Sequence, residues 1–490
     1  MKNIIIFLFI SLSSLSSGAQ EITYSKPGHE ENFWRYDIIG KLNNKLLIYK
    51  NIRNQHLISI YDNQMKLKEN VKLKFLPSNL ISVKFANCSD RVDVIYQFQK
   101  RNVFYCMAVV LDENGKIIQE PIQLDTTHIG FLADLELYHT TISEDRSKIM
   151  VYKIYKGDFY TGNGLFHFTT LLFNDSFQLL HKSQIQSFFE TEKDLFSDFL
   201  VDNDGNFVFT KGTKLGSTDL FYQLILVTKR PAEDNFNIHP LDLSGNLLDR
   251  VDLEIDNLNQ QYLINSLYYK KRNGHKEGPY TAIWSKRADS LVAKNFFSFA
   301  GATSGMAKSQ TNETNSLDYY YLGDVILTKN GGFIVTAEDL AIQGGYILPW
   351  NLRDNHIFSS AGYVFSSFRS LASSFYKNIV ILYFDNKAHL QWSNEIEKSQ
   401  TGYYPPSFAV INTGNKIHFL FNEIDRQAPI MKEQTLISDG SLSNKAPIRN
   451  LDLKYELITA LGKQVSSHEM IFPCLFGRNN RCFAKVEYKY

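Results

Sequence analysis

The chain has 490 residues, of which 44% are hydrophobic and 21% are charged, with 52 lysines and arginines against 51 aspartates and glutamates. This composition excludes a disordered or fibrous protein, and the balanced charge gives no electrostatic basis for binding nucleic acid. The 36 phenylalanines and 27 tyrosines favour strands, because flat rings pack well on a pleated surface.

The N-terminus has the residue order of a secretory signal peptide. Lys2 precedes the apolar run 4–10, and a serine-rich stretch ends in Ser17-Gly18-Ala19. A charged start, a short apolar core and small residues at the cut are typical of such signals, whereas a membrane span needs about 20 apolar residues. We predict cleavage after Ala19, a single domain over residues 20–490 with no membrane span, and a periplasmic or secreted location.

Two kinds of hairpin alternate along the remaining chain. In the first kind a polar turn leads into a strongly β-prone strand, as in segments 43–49, 143–149, 204–209, 330–335 and 413–419. In the second kind an Asp- or Asn-centred turn joins two apolar strands, as in segments 61–67, 111–117, 173–179 and 384–390 and, more loosely, 284–291 and 437–442. Asp and Asn suit these turns because their side chains bond the nearby backbone and tolerate left-handed φ.

The alternation predicts units of four antiparallel strands, A to D, recurring roughly every 45 to 65 residues, which is typical of a β-propeller. Eight A–B turns are recognisable, near residues 44, 90, 145, 205, 260, 331, 414 and 467. The last unit ends after three strands, and segment 21–25 has no hairpin partner. Because an unpaired edge is a liability, we predict an all-β, eight-bladed β-propeller in which 21–25 pairs beside 483–487. Seven blades is the alternative, because segment 242–246 either closes blade 4 or links it to blade 5.

Part of the repeat resembles known propeller families. Asp324–Glu338, followed by Ile379–Trp392, is similar to repeats of secreted bacterial propellers, and Asp385 to Trp392 resembles the Asp-to-Trp spacing of the quinoprotein-type eight-bladed repeat. That family uses the tryptophan to dock neighbouring blades, so the resemblance implies this role for Trp392. Ser143–Ile149 resembles a turn of the periplasmic Tol-type propellers. The resemblance includes no functional motif, and we expect no cofactor.

Two of the four cysteines are placed to form a bridge. Cys474 and Cys482 would face each other in a hairpin centred on Arg478, which predicts a possible disulfide in an exported chain. Four buried thiols are the alternative. The cysteines and histidines do not have the spacing of a zinc site, and we predict no metal.

Catalytic signals are weak. Standard hydrolase, nucleotide and metal motifs are absent from the sequence. Asp134 with Glu136, and Glu423 with Asp425, have the spacing that puts two carboxylates on one strand face, as a glycosidase would need, but solvated strand edges are the alternative interpretation. We interpret His418 and His468 as packed histidines rather than ligands.

The strongest functional signal is an aromatic-rich insertion, 342–378, between strands B and C of the sixth unit. Long loops in compact domains are usually functional, and B–C loops of a propeller share one face, so loops 155–164 and 272–280 belong with it. The candidate partner-binding residues are Tyr346, Trp350, Arg353, His356, Phe358, Phe159 and Tyr160.

These features predict a monomeric, non-catalytic binding or scaffolding module of the bacterial cell envelope. Its partner would be a protein or peptide, with a glycan as a further option, docked through aromatic anchors. The alternative is a propeller enzyme that hydrolyses glycans or peptides with acidic residues at the central channel.

Overall fold

A computed structural model describes residues 19–27, 33–129, 136–156, 166–187, 189, 194–216, 218–299, 320–342, 374–402, 407–425, 428–477 and 480–489. The described strands form antiparallel units of four, hydrogen-bonded in the order A to D. Strands A of consecutive blades lie next to each other and surround the axis. The all-β propeller prediction is confirmed.

The first four blades occupy the chain up to residue 241. Their strands A to D are Phe33–Leu42, Lys45–Ile52, Gln55–Tyr61 and Leu67–Lys72 in blade 1; Leu80–Asn87, Val92–Lys100, Val103–Leu111 and Ile117–His128 in blade 2; His139–Ile142, Lys148–Lys156, Phe166–Asn174 and Leu179–Ser187 in blade 3; and Asp194–Val201, Phe207–Lys214, Phe221–Lys229 and Asn237–Leu241 in blade 4.

The second four blades complete the ring. Their strands A to D are Leu247–Asp256, Gln261–Tyr269, Lys276–Ser285 and Ser290–Phe296 in blade 5; Tyr320–Leu327, Phe333–Ile342, Ser374–Phe384 and Leu390–Ile396 in blade 6; Phe408–Asn412, Lys416–Asp425, Ala428–Ile437 and Ala446–Pro447 in blade 7; and, in blade 8, Tyr455–Leu457 with Lys463–Gln464, then Glu469–Phe476, Asn480–Lys489 and Ala19–Tyr24. A short 3₁₀ turn, Thr459–Leu461, interrupts strand A of blade 8, and Gln400–Gly402 adds to blade 6.

The described strands form eight blades rather than seven. Strand Asn237–Leu241 pairs with strand C of blade 4 and closes it, so segment 242–246 is the link to blade 5. One backbone residue pair, Phe221 with Leu248, joins the sheets of blades 4 and 5, but each blade keeps its own four strands. The seven-blade alternative is therefore wrong.

The N-terminal strand closes the ring as predicted. Ala19–Tyr24 pairs antiparallel with strand C of blade 8, from Ala19 opposite Lys489 to Tyr24 opposite Ala484. Ser25 continues the pairing, since its N–H donates to the Phe483 carbonyl at 2.8 Å and its hydroxyl accepts from the Phe483 N–H at 2.9 Å. Blade 8 thus takes its outer strand from the other end of the chain.

Acidic and amide side chains shape the turns. Asp62 Oδ1 accepts hydrogen bonds from the N–H groups of Gln64 and Lys66, both at 2.9 Å. The same pattern recurs where Asp112, Asn174 and Asp385 open the C–D turns of blades 2, 3 and 6. A side chain that binds the turn backbone explains why these positions were recognisable from sequence.

The same turns dock each blade on its neighbour. Met65, Phe177 and Ala388 hold positive φ at the fourth position of their turns and are nevertheless buried. Met65 packs with Ile471 and Phe483 of blade 8, while Phe177 and Ala388 likewise contact the preceding blade. Burial of these apolar groups compensates for the unfavourable backbone conformation.

The hydrophobic core consists of one apolar cluster between each pair of consecutive blades. Eight such clusters of described residues run around the ring, including one between blades 8 and 1. Trp392 lies in the cluster between blades 6 and 7, stacks on Tyr383 with ring centroids 5.3 Å apart, and packs against Gly440 of blade 7. This position fits the blade-docking role that the resemblance implied.

Ring closure generates the first prediction. Ile22 is buried in the cluster between blades 7 and 8, whereas the neighbouring Glu21 is partly exposed beside Lys489. We expect Ile22→Ala to lower the free energy of unfolding by about 2–4 kcal/mol, because it leaves a cavity in a packed cluster. Denaturant unfolding of both variants measures this, and Glu21→Ala is the control that should leave the midpoint unchanged. Equal effects of the two substitutions would contradict a closing role for the strand.

Candidate functional site

The two faces of the disc differ sharply. Strand order puts all A–B and C–D connections on one face, which we call the tight-turn face, and its longest connection is 438–445. The described strand ends that the B–C and D–A connections join lie on the opposite, long-loop face, and the longest of these connections by sequence are 343–373, 297–319 and 397–407. Functional residues on a propeller therefore have most room on the long-loop face.

A central channel of about 1420 Å³ runs between the inner strands of blades 1–6 and 8. Its lining combines apolar side chains with charged ones. The charged lining groups are Asp37, Lys84, His139, Arg146, Asp198, Lys214, Asp219, Asp249, Arg250, Asp252, Glu254, Lys276, Asp324 and Lys463. A concave site with a few converging polar groups is the usual form of a ligand pocket.

Six acidic side chains of blades 4–6 line this channel. We call four of them, Asp198, Asp252, Glu254 and Asp324, the channel carboxylates. Asp252 and Glu254 are two residues apart on strand A of blade 5 and so share one strand face. Asp198 and Asp324 lie in irregular segments of strands A of blades 4 and 6, where the register shifts. Such bulges re-aim side chains, which here brings them toward the axis.

Glu254 has the most altered ionisation in this group. Burial by the surrounding ring raises its pKa to about 7, and Asp252, Asp324 and Glu144 add to the shift. The side chain itself remains in contact with channel solvent. A carboxyl group that titrates near neutral pH can both donate and accept a proton there.

Other channel carboxylates are tied into the fold. Asp198 Oδ2 accepts a hydrogen bond from the Leu253 N–H at 3.0 Å, which links blades 4 and 5. Asp252 Oδ1 lies 2.9 Å from Arg250 Nε. Among the residues that the structure describes, no three His, Cys, Asp or Glu side chains are arranged to hold a metal ion.

Basic groups also line the channel wall. Lys84 Nζ donates to the Thr140 carbonyl at 3.3 Å, and burial lowers the pKa of this lysine. Lys463 lies 3.7 Å from Asp37, whose pKa is raised by burial and partly restored by this lysine. Further basic lining groups come from blades 3 to 5, namely Arg146, Lys214, Arg250 and Lys276, so the channel carboxylates on blades 4–6 lie among basic groups as well.

Hydrogen bonds between turns join part of the tight-turn face. The Asp145 N–H donates to Asn203 Oδ1 at 3.2 Å, and the Asn203 N–H donates to Asn257 Oδ1 at 3.1 Å. Asn257 Nδ2 then donates to Glu144 Oε2 at 2.9 Å. These bonds connect the A–B turns of blades 3, 4 and 5 in a continuous ladder beside the channel.

The carboxylate pairs predicted from spacing have other environments. Glu423 Oε2 and Oε1 lie 2.7 and 2.9 Å from Lys432 and Lys445, and these lysines help to hold the Glu423 pKa below its usual value against the opposing effect of burial. Such a carboxylate is an ion-pair partner rather than a general acid. Glu136 lies 3.9 Å from His139. Asp134 and the Asp425 side chain lie outside the described residues.

The two histidines behave differently. His418 is buried, hydrogen-bonded through Nδ1 to Glu433, and covered by Tyr488 with ring centroids 4.1 Å apart. Its prediction as a packed histidine is confirmed. His468 is exposed in the A–B turn of blade 8, so its prediction was wrong. It precedes strand B rather than beginning it, and only the next residue turns inward.

Cys474 and Cys482 lie directly opposite each other in the hairpin of strands B and C in blade 8, as predicted. Both are buried, and both are free thiols in this structure. The hairpin is thus confirmed, while the bridge stays a prediction.

The predicted partner-binding residues, Tyr346, Trp350, Arg353, His356, Phe358, Phe159 and Tyr160, lie outside the described residues. The strands that carry their loops are described: Lys156 pairs with Phe166, and Ile342 pairs with Ser374. The connecting segment in blade 6 is therefore 343–373, shorter than the predicted 342–378, and loop 272–280 includes strand residues from Lys276 onward. Within the described ranges, no helix is long and apolar enough to cross a membrane.

Sequence reasoning missed the channel carboxylates. A signal for them exists, because Asp198, Asp252 and Asp324 each stand four residues before the residue that opens the A–B turn, namely Asp202, Asp256 and Thr328. An aspartate at the same repeat position in three consecutive units predicts three carboxylates at the same level along the neighbouring strands A of blades 4, 5 and 6.

Comparison with family models finds no match, and comparison with curated protein sequences also finds none. Among solved structures, the WD40 domain of SCAP from fission yeast is 9% identical with a TM-score of 0.44, covering 96% of this chain and 98% of that one. Prolyl oligopeptidase B from Galerina marginata is 7% identical with a TM-score of 0.39, covering 93% of this chain and 56% of that one. This chain thus spans about half the length of that enzyme. The propeller assignment itself stands on the strand pairing.

The raised pKa of Glu254 generates the second prediction. Its ordinary value is 4.5 and its folded value is about 7, so the protein loses stability as pH rises from 4.5 to 7 and the carboxyl ionises. Glu254→Gln, which stays neutral, should raise the thermal midpoint by about 1–3 °C at pH 8 and leave it unchanged at pH 4. Glu120→Gln, on the exposed outer strand of blade 2, is the control that should show no such pH dependence. A Glu254→Gln midpoint shift of the same size at both pH values would contradict the assignment.

Proposed function

We propose that this chain is an exported, non-catalytic binding or scaffolding propeller of the bacterial cell envelope. The observation that carries the proposal is the difference between the two faces. One face has compact turns fixed by their own side chains, while the other collects the long connections, including 343–373 and 297–319. A partner, protein or peptide, docks on the long-loop face. Export rests on the signal-like order of residues 1–19.

The base of the 343–373 connection supports this role. Lys398 is fully buried, and its Nζ lies 2.5 Å from Glu338 Oε1 and from Gln400 Oε1. Ser407 Oγ donates to Glu338 Oε2 at 2.8 Å, which ties strand B of blade 6 to blade 7. A firmly held base lowers the entropy cost of presenting a binding segment to a partner.

Aromatic anchors are the proposed contacts. Trp350 is the central one, because Trp and Tyr dominate the energetics of protein interfaces and Pro349 restricts the backbone before it. Tyr346, Arg353, His356 and Phe358 on the same connection, with Phe159 and Tyr160 on blade 3, complete the proposed set. Tyr155, at the base of the blade 3 loop, is half exposed and stacks on His167 at 5.0 Å, so aromatic surface reaches this face from a described strand.

A loop replacement tests the binding proposal. Ile342 and Ser374 are strand partners, so an Asn-Gly turn can replace 343–373 without disturbing the sheet. Envelope proteins captured by the wild type should be lost with this replacement and reduced at least about tenfold with Trp350→Ala. Leu258→Ala, at an exposed apolar position on the tight-turn face, is the matched control. Recovery of the same proteins by all variants would exclude the long-loop face as the docking surface.

A hydrolase is the second candidate, and the convergence of the channel carboxylates favours it. In that case a carboxyl such as Glu254 acts as the general acid–base at the channel. Turnover of a glycan or peptide library by the wild type should then fall at least about 100-fold in Glu254→Gln. Glu120→Gln serves as the activity control. Turnover that persists unchanged in Glu254→Gln would place any active site outside the channel.

A further inference from the structure

The two opposed cysteines of blade 8 lie on its strands B and C, and the strand that closes the ring pairs with strand C. Cys474 and Cys482 are only 1% and 3% exposed. The Cys482 thiol lies 3.4 Å from the Cys474 carbonyl, and both side chains belong to the apolar cluster between blades 7 and 8. Ile22 and Tyr24 of the N-terminal strand belong to the same cluster.

The geometry of the pair allows a disulfide without backbone movement. The two residues are direct register partners on antiparallel strands. Such partners have Cα atoms about 4.5–5.5 Å apart, which lies within the range of about 4.4–6.8 Å that a disulfide spans. Their shared cluster places both side chains on one face of the sheet.

Tyrosine rings cover the pair from the N-terminal strand side. Tyr24 stacks on Tyr455 with ring centroids 4.1 Å apart, and Tyr455 contacts Phe476 at 4.8 Å. The Tyr24 hydroxyl accepts a hydrogen bond from the Asp452 N–H at 3.1 Å, which fixes the ring in place. Burial raises the pKa of Tyr24 to about 12, and its ring packs against the same cluster that holds both thiols.

Thiol oxidation by a disulfide needs a thiolate and access to it. In the closed ring both conditions fail, since the pair is buried and burial raises the pKa of the Cys474 thiol well above its usual value. Undocking of residues 19–24 removes Ile22 and Tyr24 from the cluster and opens a path to the thiols.

We propose that the N-terminal strand is a strap over a redox-active dithiol: Cys474 and Cys482 are oxidised by a small disulfide while the strap is undocked, and docking seals the pair. In the reaction, one cysteine thiolate attacks glutathione disulfide and releases one reduced glutathione. The second cysteine thiolate then displaces the second glutathione from the mixed disulfide. The protein loses two electrons and two protons, and glutathione disulfide gains them.

The test uses the full chain with all four thiols reduced, incubated with glutathione disulfide and followed by mass spectrometry of the linked Cys474–Cys482 peptide. The wild type should oxidise at least about 100-fold more slowly than the denatured chain. The double variant Ile22→Ala with Tyr24→Ala should oxidise at least about tenfold faster than the wild type. Thr23→Ala changes the opposite face of the same strand and should oxidise at the wild-type rate.

Alkylation of Cys88 and Cys106, which are buried in blade 2, separates strap opening from global unfolding. Under the proposal they stay protected in the double variant while Cys474 and Cys482 react. The proposal fails if the folded wild type oxidises as fast as the denatured chain. It also fails if Thr23→Ala matches the double variant, or if Cys106 becomes reactive in parallel with Cys474.

Discussion

The fold depends on closure of the ring of blades, because its hydrophobic core lies between neighbouring blades. Each apolar cluster needs two neighbours, and the cluster between blades 8 and 1 joins Tyr36 and Ile38 to Ile471 and Phe483. The ends of the chain meet in blade 8, where Ala19–Tyr24 supplies the outer strand. Ion pairs reinforce the seam, with Glu469 between Lys41 at 2.8 Å and Lys485 at 3.2 Å. Without that strand, strand C of blade 8 would be an unpaired edge, and the cluster between blades 7 and 8 would lose Ile22 and Tyr24.

Closure also explains why the two faces differ. The tight turns must carry both a backbone-binding Asp or Asn and, in several blades, a buried apolar residue that docks on the preceding blade, as Phe177 and Ala388 do. These requirements fix the length and composition of the turns. The D–A connections share part of this requirement, since Leu76 and Tyr138 are buried between blades. In blade 6, however, Ile342 and Ser374 pair directly, so the B–C connection between them can lengthen without disturbing the sheet. Residues on the long-loop face can therefore change in ways that favour binding a partner without loss of the fold.

Local chemistry decided what was predictable from sequence. The side chains of Asp62 and Asp385 bind the backbone of their own turns, so these C–D turns could be located from the sequence. The number of blades stayed open between eight and seven until the pairing of strand Asn237–Leu241 was known. For the channel carboxylates, the shared repeat position of three aspartates is visible in the sequence, but the direction of their side chains is not, because register shifts near Asp198 and Asp324 decide it. The prediction for His468 was wrong for a related reason, because whether a residue beside a turn faces inward depends on where the first strand pair forms.

The mouth of the channel lies at the long-loop face. Turn-to-turn hydrogen bonds through Asn203 and Asn257 hold blades 3–5 together at the tight-turn face. Lys214, Asp219 and Tyr269 line the channel where strands meet the B–C connections, at the long-loop face.

A partner docked on that face would lie over this mouth, and a side chain from it could extend toward the channel carboxylates. A basic side chain would be favoured there above pH 7, where Glu254 is ionised, and less favoured below it, because protonation of Glu254 removes one negative charge. If a partner docks on the long-loop face as proposed, comparing its affinity at two pH values for Glu254→Gln and the wild type would measure how strongly binding is coupled to the ionisation of Glu254.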